Sequence, residues 1–281
     1  MVKKTFLLIF AFCTIYYANL GAQYNEEVPI KQSFKTFKPI DLIDLPTGNT
    51  LIEDNRGLRN PQCFHLYLKF YDVGGVLGGI KIGITKRVLL GVSYGGQHVI
   101  GNGDINWNPA AGVHIRYKLF SETYPMPPAM SIGYNSQGYG AYLPELERYE
   151  TKATGFYLTA SKNTSAFFNV GFHGGINYSP KSKDNDNDIN MFAGVHLPIS
   201  DDLALFCEYD LGNNDNNEQA LGSKDGYLNA SLRWIFKNHL IFEFSVKDLL
   251  QNRKDVEGEL KQTVTRELKV TYTQYLLCRF Y

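Results

Sequence analysis

After its first seventeen residues the chain has no apolar run approaching the length of a membrane-spanning helix, which takes about 20 residues. That excludes a helical membrane bundle but not a barrel, because a strand crossing lipid needs an apolar side chain only at every second position. An excess of charge of either sign is also missing. The 28 Lys and Arg balance the 28 Asp and Glu, which argues against nucleic acid as a partner. Cysteine is sparse, at four residues without metal-binding spacing, and no cofactor or metal is expected. What the chain has in quantity is glycine (26) and phenylalanine and tyrosine (18 and 19), at a mean hydropathy of −0.24. Aromatic girdles and low average hydropathy both suit a membrane barrel.

The first residues predict the compartment. Lys3 and Lys4 precede the apolar run Phe6 to Tyr17, and the small pair Gly21-Ala22 stands before Gln23. This is the layout of a secretory signal peptide. The polar Asn19 comes too early for an N-terminal membrane anchor, and Cys13 lies inside the apolar run, where a lipid anchor is not expected. The predicted organisation is a signal peptide over 1–22, a periplasmic N-terminal segment over 23–61 and a barrel over 62–281. The middle segment contains EEVPIKQSFKTFKPIDLIDLPTG, with three prolines and little periodicity. It would stay mobile, dock on a periplasmic partner or plug the lumen.

Residues 113 to 119, VHIRYKL, show the pattern that recurs along the chain. Val113, Ile115, Tyr117 and Leu119 alternate with His114, Arg116 and Lys118. Period-two counting gives twelve such segments. Their apolar sets are Leu66/Leu68/Phe70, Ile80/Ile82/Ile84, Leu90/Val92/Tyr94, the set just named, Met130/Ile132/Tyr134, Phe156/Leu158/Ala160 and Phe168/Val170/Phe172. They continue with Met191/Ala193/Val195/Leu197, Leu203/Leu205/Cys207/Tyr209, Leu228/Ala230/Leu232/Trp234, Leu240/Phe242/Phe244/Val246 and Leu268/Val270/Tyr272. Cys207 acts there as a small hydrophobe. The opposite parity holds most of the charged and polar residues, and glycines fill much of the remainder.

A soluble sandwich could show the same alternation, so the connections decide. Even-to-odd connections are compact (TKR, SETYPMPP, KNTS, ISDD, FKN). Apart from the short DVGG, the odd-to-even ones are long and polar, such as NYSPKSKDNDND and DLGNNDNNEQALGSKDG. Short turns at one rim and long loops at the other are the mark of an outer-membrane barrel with both termini in the periplasm. The chain also ends in the aromatic pair Phe280-Tyr281. The predicted fold class is therefore all-β: a transmembrane antiparallel β-barrel of about twelve strands, with short periplasmic turns and mostly long extracellular loops. Closure is required, because an open sheet edge in hydrocarbon leaves backbone groups unpaired at several kcal/mol each.

Several stretches resemble a family of bacterial outer-membrane barrel proteins linked by name to exopolysaccharide production. They are GGVLGGIKIGI, GVSYGG, GNGDINWNPAAGVHIRYKL, SQGYGAY, GFYLTASKN, NVGFHGGINYS, LALFCEYDLGNND, GYLNASLRW and FSVKDLLQNRKD, from about residue 74 to 255. The resemblance implies an outer-membrane location and a role in polysaccharide export, and it carries over no catalytic residues. The segment from Gln23 to Pro61 is longer than that pattern.

Candidate sites follow from the inward parity. Its charged residues and histidines are Lys69, Lys81, His114, Arg116, Lys118, His173, His196, Glu208, Asp210, Arg233, Glu243, Lys247, Lys269 and Glu267. Two readings stand: the charges pair across a narrow interior and hold it shut, or Lys69, Lys81, Arg116 and Lys118 form the cationic wall of an anion-preferring pore. Asp184, Asp186 and Asp188 alternate in KSKDNDNDIN, but an EF-hand loop would need glycine and glutamate where Ile189 and Val195 stand, so a solvated acidic loop is expected. Some twelve-stranded barrels are lipases with Ser and His on the lipid-facing wall. The outward parity here holds neither, so the protein is not expected to be an enzyme. Trp107, Tyr139 and Tyr142, in long outward loops, suit sugar stacking or simple loop packing. Cys63 and Cys278 lie toward one rim of the closing seam. An oxidising compartment permits a disulfide, while strict alternation puts the two on opposite faces.

The expected function is a non-enzymatic outer-membrane barrel, a narrow pore or an accessory in exopolysaccharide export. The alternatives are a membrane-embedded hydrolase and a closed structural or adhesive barrel. Expected partners are outer-membrane lipid, the barrel assembly machinery, and polysaccharide or export-system proteins.

Overall fold

The computed structural model describes residues 63–275 apart from 86, 123–126, 164–169, 181–182, 224, 238 and 255–263. The signal peptide, the 23–61 segment, Phe168, Cys278 and the terminal Phe280-Tyr281 lie outside the described residues. So does any pairing of Cys63 with Cys278.

All regular elements among the described residues are strands. In chain order they are β1 (Cys63–Tyr71), β2 (Gly75–Gly83), β3 (Val88–Gln97), β4 (Asn106–Trp107), β5 (Gly112–Phe120), β6 (Ala129–Asn135), β7 (Tyr139–Leu143) and β8 (Arg148–Thr151). There follow β9 (Gly155–Asn163), β10 (Gly171–Tyr178), β11 (Asn190–Pro198), β12 (Leu203–Asp210), β13 (Tyr227–Phe236), β14 (Leu240–Lys247) and β15 (Thr265–Tyr275). Twelve of them pair antiparallel in the order β1-β2-β3-β5-β6-β9-β10-β11-β12-β13-β14-β15. The first and last then close on each other, with Lys69 opposite Lys269. β4 adds two residues to the outer end of β3, and β7 and β8 form a separate hairpin in the β6–β9 connection. The chain is a closed transmembrane antiparallel β-barrel, and its twelve spanning strands match the twelve alternating segments of the sequence.

The barrel is inside-out relative to a water-soluble protein. Leu66, Val92 and Phe156 are each at least half exposed, at 52%, 50% and 55%, while Glu208 on the inner face is at 0%. The largest fully enclosed side chains are Glu208, Asn190, Asn214 and Asn229. In water this arrangement would forfeit the burial of apolar area that drives folding, at about 25 cal/mol per Å². In a bilayer the outer band is solvated by acyl chains, and the ladder satisfies the backbone with no open edge.

Two positions depart from strict alternation. The β5–β6 register shifts between Lys118 and Phe120, so the expected outward Leu119 is only partly exposed and Phe120 takes the outward position. A β-bulge inserts one residue and hands the face to the next. Tyr209, expected to face lipid, is buried at the loop end of β12, where its hydroxyl donates to the Asp225 carbonyl. One inner patch is apolar: Phe192, Ala204, Phe206, Ile235 and Ile241 pack together on β11 to β14.

Candidate functional site: lumen and mouth of the barrel

Period two sends one side chain in every pair toward the lumen. The structure places Lys69, Lys81, His114, Arg116, Lys118, Glu208, Asp210, Arg233, Glu243, Lys247 and Glu267 on the inner face as buried groups, with Lys269 half-buried beside them. They are not mixed evenly around the wall. Lys69, Lys81, Arg116 and Lys118 come from β1, β2 and β5, and all four carboxylates come from β12, β14 and β15. The wall strands β6, β9, β10 and β11 contribute neutral buried groups (Ser131, Asn135, Thr159, Ser161, Asn177, Asn190) and two histidines.

Inner residues come together in several clusters. Arg233 Nε donates to Glu243 Oε2 at 2.7 Å, directly opposite on β14, and Nη2 contacts the same oxygen. The guanidinium also lies 4.5 Å from the Phe206 ring centre. Lys69 and Lys247 both bridge Glu267 Oε2, at 3.4 and 3.0 Å. His173 Nδ1 is 2.8 Å from Ser161 Oγ and its Nε2 is 2.7 Å from His196 Nδ1. His196 in turn stacks on Phe206, with centroids 5.8 Å apart. His114 Nε2 lies 3.0 Å from Ser93 Oγ, which also donates to Gln137 Oε1. These Ser–His contacts were not legible in the sequence, because strand order and stagger set them. The third member beside Ser161 and His173 is another imidazole, where an acyl-transfer triad has a carboxylate holding the base.

At the mouth, the long loops fold over one another. Arg148 of β8 donates to Asp184 Oδ2 at 2.6 Å and to Asp215 Oδ1 at 2.6 Å, from two different loops. Lys152 Nζ donates to Asp184 Oδ1 at 2.7 Å and to the carbonyls of Asp186 and Asn214. Asp186 Oδ2 accepts the amides of Asn216 and Asn217 at 2.7 and 3.1 Å. Arg253 reaches back to Glu150 at 3.3 Å. The acidic stretch is therefore not the solvated loop expected: Asp184 and Asp186 are buried, and of the three alternating aspartates only Asp188 is exposed. Among the described residues no group of three or more His, Cys, Asp or Glu could hold a metal.

The electrostatics of this latch are those of buried, paired charges. Burial raises the Asp215 carboxyl, but the Arg148 charge and its hydrogen bonds, with help from Tyr227 and Lys152, outweigh that and hold it below its ordinary range. Burial works against charged Arg148 and is outweighed in the same way, so its pKa rises. For Lys152 burial prevails over Asp184, and its pKa is lowered.

The aromatic loop candidates separate. Trp107 is half exposed and stacks on Tyr94 at 5.7 Å and 12°. Tyr142 is half-buried and packs edge-on against Tyr149 at 5.2 Å. Tyr139 is not on the outer surface. Its ring lies inside the barrel, 3.4 Å from Lys69 Nζ and 4.2 Å from Lys247 Nζ.

Among solved structures the chain is similar to the KdgM porin in complex with disordered oligogalacturonate. Identity is 10% and the TM-score 0.46, covering 75% of this chain and 98% of that one. It is also similar to the NanC porin, at 9% identity and TM-score 0.42, covering 76% of this chain and all of that one. The outer membrane channel DcaP of Acinetobacter baumannii matches at 8% identity and TM-score 0.31, covering 76% and 96%. No protein-family model matches the sequence, and no curated protein matches it.

Proposed function

We propose that the protein is a non-enzymatic barrel of a bacterial outer membrane, working as a narrow, anion-preferring pore. The observation that carries this reading is the transverse sorting of lumenal charge. Seven inner cations (Lys69, Lys81, Arg116, Lys118, Arg233, Lys247, Lys269) stand against four inner carboxylates (Glu208, Asp210, Glu243, Glu267), and the surplus lies along β1, β2 and β5. A wall of one sign beside a narrow aqueous path sets ion preference by direct electrostatics. A role as an accessory in exopolysaccharide export follows from the sequence resemblance, with acidic polysaccharide as the permeant that suits a cationic wall. The natural partners are then outer-membrane lipid, the barrel assembly machinery and the export system. Delivery by the signal peptide over 1–22 and a periplasmic place for 23–61 belong to the same reading.

A second reading, a closed structural barrel, is favoured by one observation: the inner side chains are packed closely enough that Glu208, Asn229 and Arg233 are almost wholly enclosed. Single-channel recording in planar bilayers under a KCl gradient separates the two. The pore gives a steady conductance with a reversal potential on the anion side. Lys81→Glu and Arg116→Glu move that potential toward the cation side. Silent bilayers from folded, heat-modifiable barrels would remove the pore and leave the closed barrel.

A further inference from the structure

The β6–β9 connection does not stay outside the barrel. Directly after β6, Ser136 Oγ accepts the amide of Val113 at 2.8 Å and Gln137 Oε1 accepts the Ser93 hydroxyl at 3.3 Å. These contacts turn the chain inward over β3 and β5. The hairpin that follows depends on two glycines. A Cβ on Gly138 would stand 2.3 Å from the Tyr149 ring, and one on Gly140, where φ is +74°, would stand 2.3 Å from Glu150 Oε2. The β7–β8 register shifts between Tyr139 and Tyr142. A bulge of this kind re-aims a side chain, and here it turns the Tyr139 ring onto the barrel wall.

The wall at that point is cationic. Lys69 of β1 and Lys247 of β14 come within 3.4 and 4.2 Å of the ring centre, and both ammoniums bridge the same carboxylate, Glu267. The negative face of an aromatic ring attracts ammonium groups, so Tyr139 covers charge that one carboxylate shares between two cations. At its far end the hairpin is clamped by Arg148 to Asp184 and Asp215, and nearer Tyr139 the Glu150 carboxylate holds Arg253.

We infer that the β7–β8 hairpin is the selectivity constriction of the lumen, and that Tyr139 is its specificity-determining residue, screening Lys69 and Lys247 from passing anions. This rests on the pore reading above. With the ring in place the path beside the hairpin is narrow and its ammoniums are covered. Without the ring the path is wider and more positive. The two changes have opposite consequences for a simple hole, since widening alone weakens ion preference.

The test is single-channel recording of the full mature protein, with Tyr139→Phe and Tyr139→Ala, in a KCl gradient, on barrels shown folded by heat-modifiable mobility. Tyr139→Phe keeps the ring and matches the parent. Tyr139→Ala raises conductance at least about twofold and moves the reversal potential further toward chloride, as uncovered charge at a constriction requires. A silent parent beside a conducting Tyr139→Ala overturns both the pore reading and the screening role, since the ring then plugs the barrel. Equal conductance and equal reversal potential in parent and Tyr139→Ala overturn the constriction and leave the pore reading standing. Higher conductance with lower anion preference also overturns the screening role. Silence from both folded proteins overturns both readings.

Discussion

Arg148→Met would test whether the loops at the mouth are latched by charge or merely rest against one another. The guanidinium donates to Asp184 at 2.6 Å, to both Asp215 oxygens at 2.6 and 3.2 Å, and to the carbonyls of Tyr149 and Glu150 at 2.9 Å each. Methionine keeps an unbranched apolar stem as far as about Nε and carries no charge, so both carboxylates lose their guanidinium partner. Removing one side of a buried ion pair costs about 3–5 kcal/mol. Here Asp184 keeps Lys152 at 2.7 Å, and Asp215 keeps the Tyr227 hydroxyl at 2.7 Å and the Leu221 amide at 3.1 Å. Those partners bring the expected cost to the lower end, about 3 kcal/mol. It falls on the loops, because the barrel itself is held by its closed ladder. At 1.4 kcal/mol per tenfold, the amides of Asn216, Asn217 and Leu221 should exchange with deuterium about a hundredfold faster, while amides within β12 and β13 keep their rates. Hydrogen exchange in detergent micelles reads this directly. Adding Asp215→Asn alone to Arg148→Met should restore part of the protection, since Asp184 keeps Lys152 and the carboxylate left without a cation is then neutral. Loop exchange within about threefold of the parent would refute a latch worth the pair energies used here. An equal rise in loops and strands would refute its independence from the barrel.

Two more expectations follow from the same geometry. Leu232, near the middle of β13 and 40% exposed, faces acyl chains, so Leu232→Arg should cost about 2–4 kcal/mol. On a water-facing surface the same change would cost within about 0.5 kcal/mol. Denaturant unfolding from phospholipid vesicles, followed by tryptophan fluorescence, distinguishes these values. The latch should also respond to acid in one direction. The folded-state pKa of Asp215 is lowered, so its contribution is complete above the ordinary aspartate value of about 3.9. It is lost as pH falls through the lower folded value. Pepsin should therefore cut within 211–226 much faster at about pH 2 than at about pH 4, relative to an unstructured substrate at each pH. Equal relative rates would show that the carboxylate does not hold the loop.

Much of the barrel could be read from residues alone, because the information is local. Whether a side chain points in or out of a strand depends on its parity. Leu66, Leu68, Leu205 and Leu232 could be assigned to lipid, and Lys69, Arg116 and Arg233 to the interior, without knowing which strands pair. Where local parity was broken by a longer-range event, the reading slipped: the bulge at Lys118 to Phe120 passed the outward face to Phe120, and loop 211–226 covered Tyr209. The inward apolar patch around Phe206, Ile235 and Ile241 carried a signal in the same parity, since these positions fall between outward residues, but their contact crosses four strands.

The sequence by itself determined the membrane, the strand count and the two faces of the wall, since a period-two pattern and loop lengths sorted by rim need no knowledge of contacts. Tertiary structure alone decided what the loops do. Arg148 meets Asp184 and Asp215 across 36 and 67 residues of chain, and Tyr139 reaches lysines on the first and the eleventh spanning strands. A polar loop gains as much from water as from a partner until the folded barrel brings a partner within 3 Å and takes the water away. The aspartates that read as a solvated run then become a buried latch, and the tyrosine that read as a surface aromatic becomes a ring on the wall of the lumen.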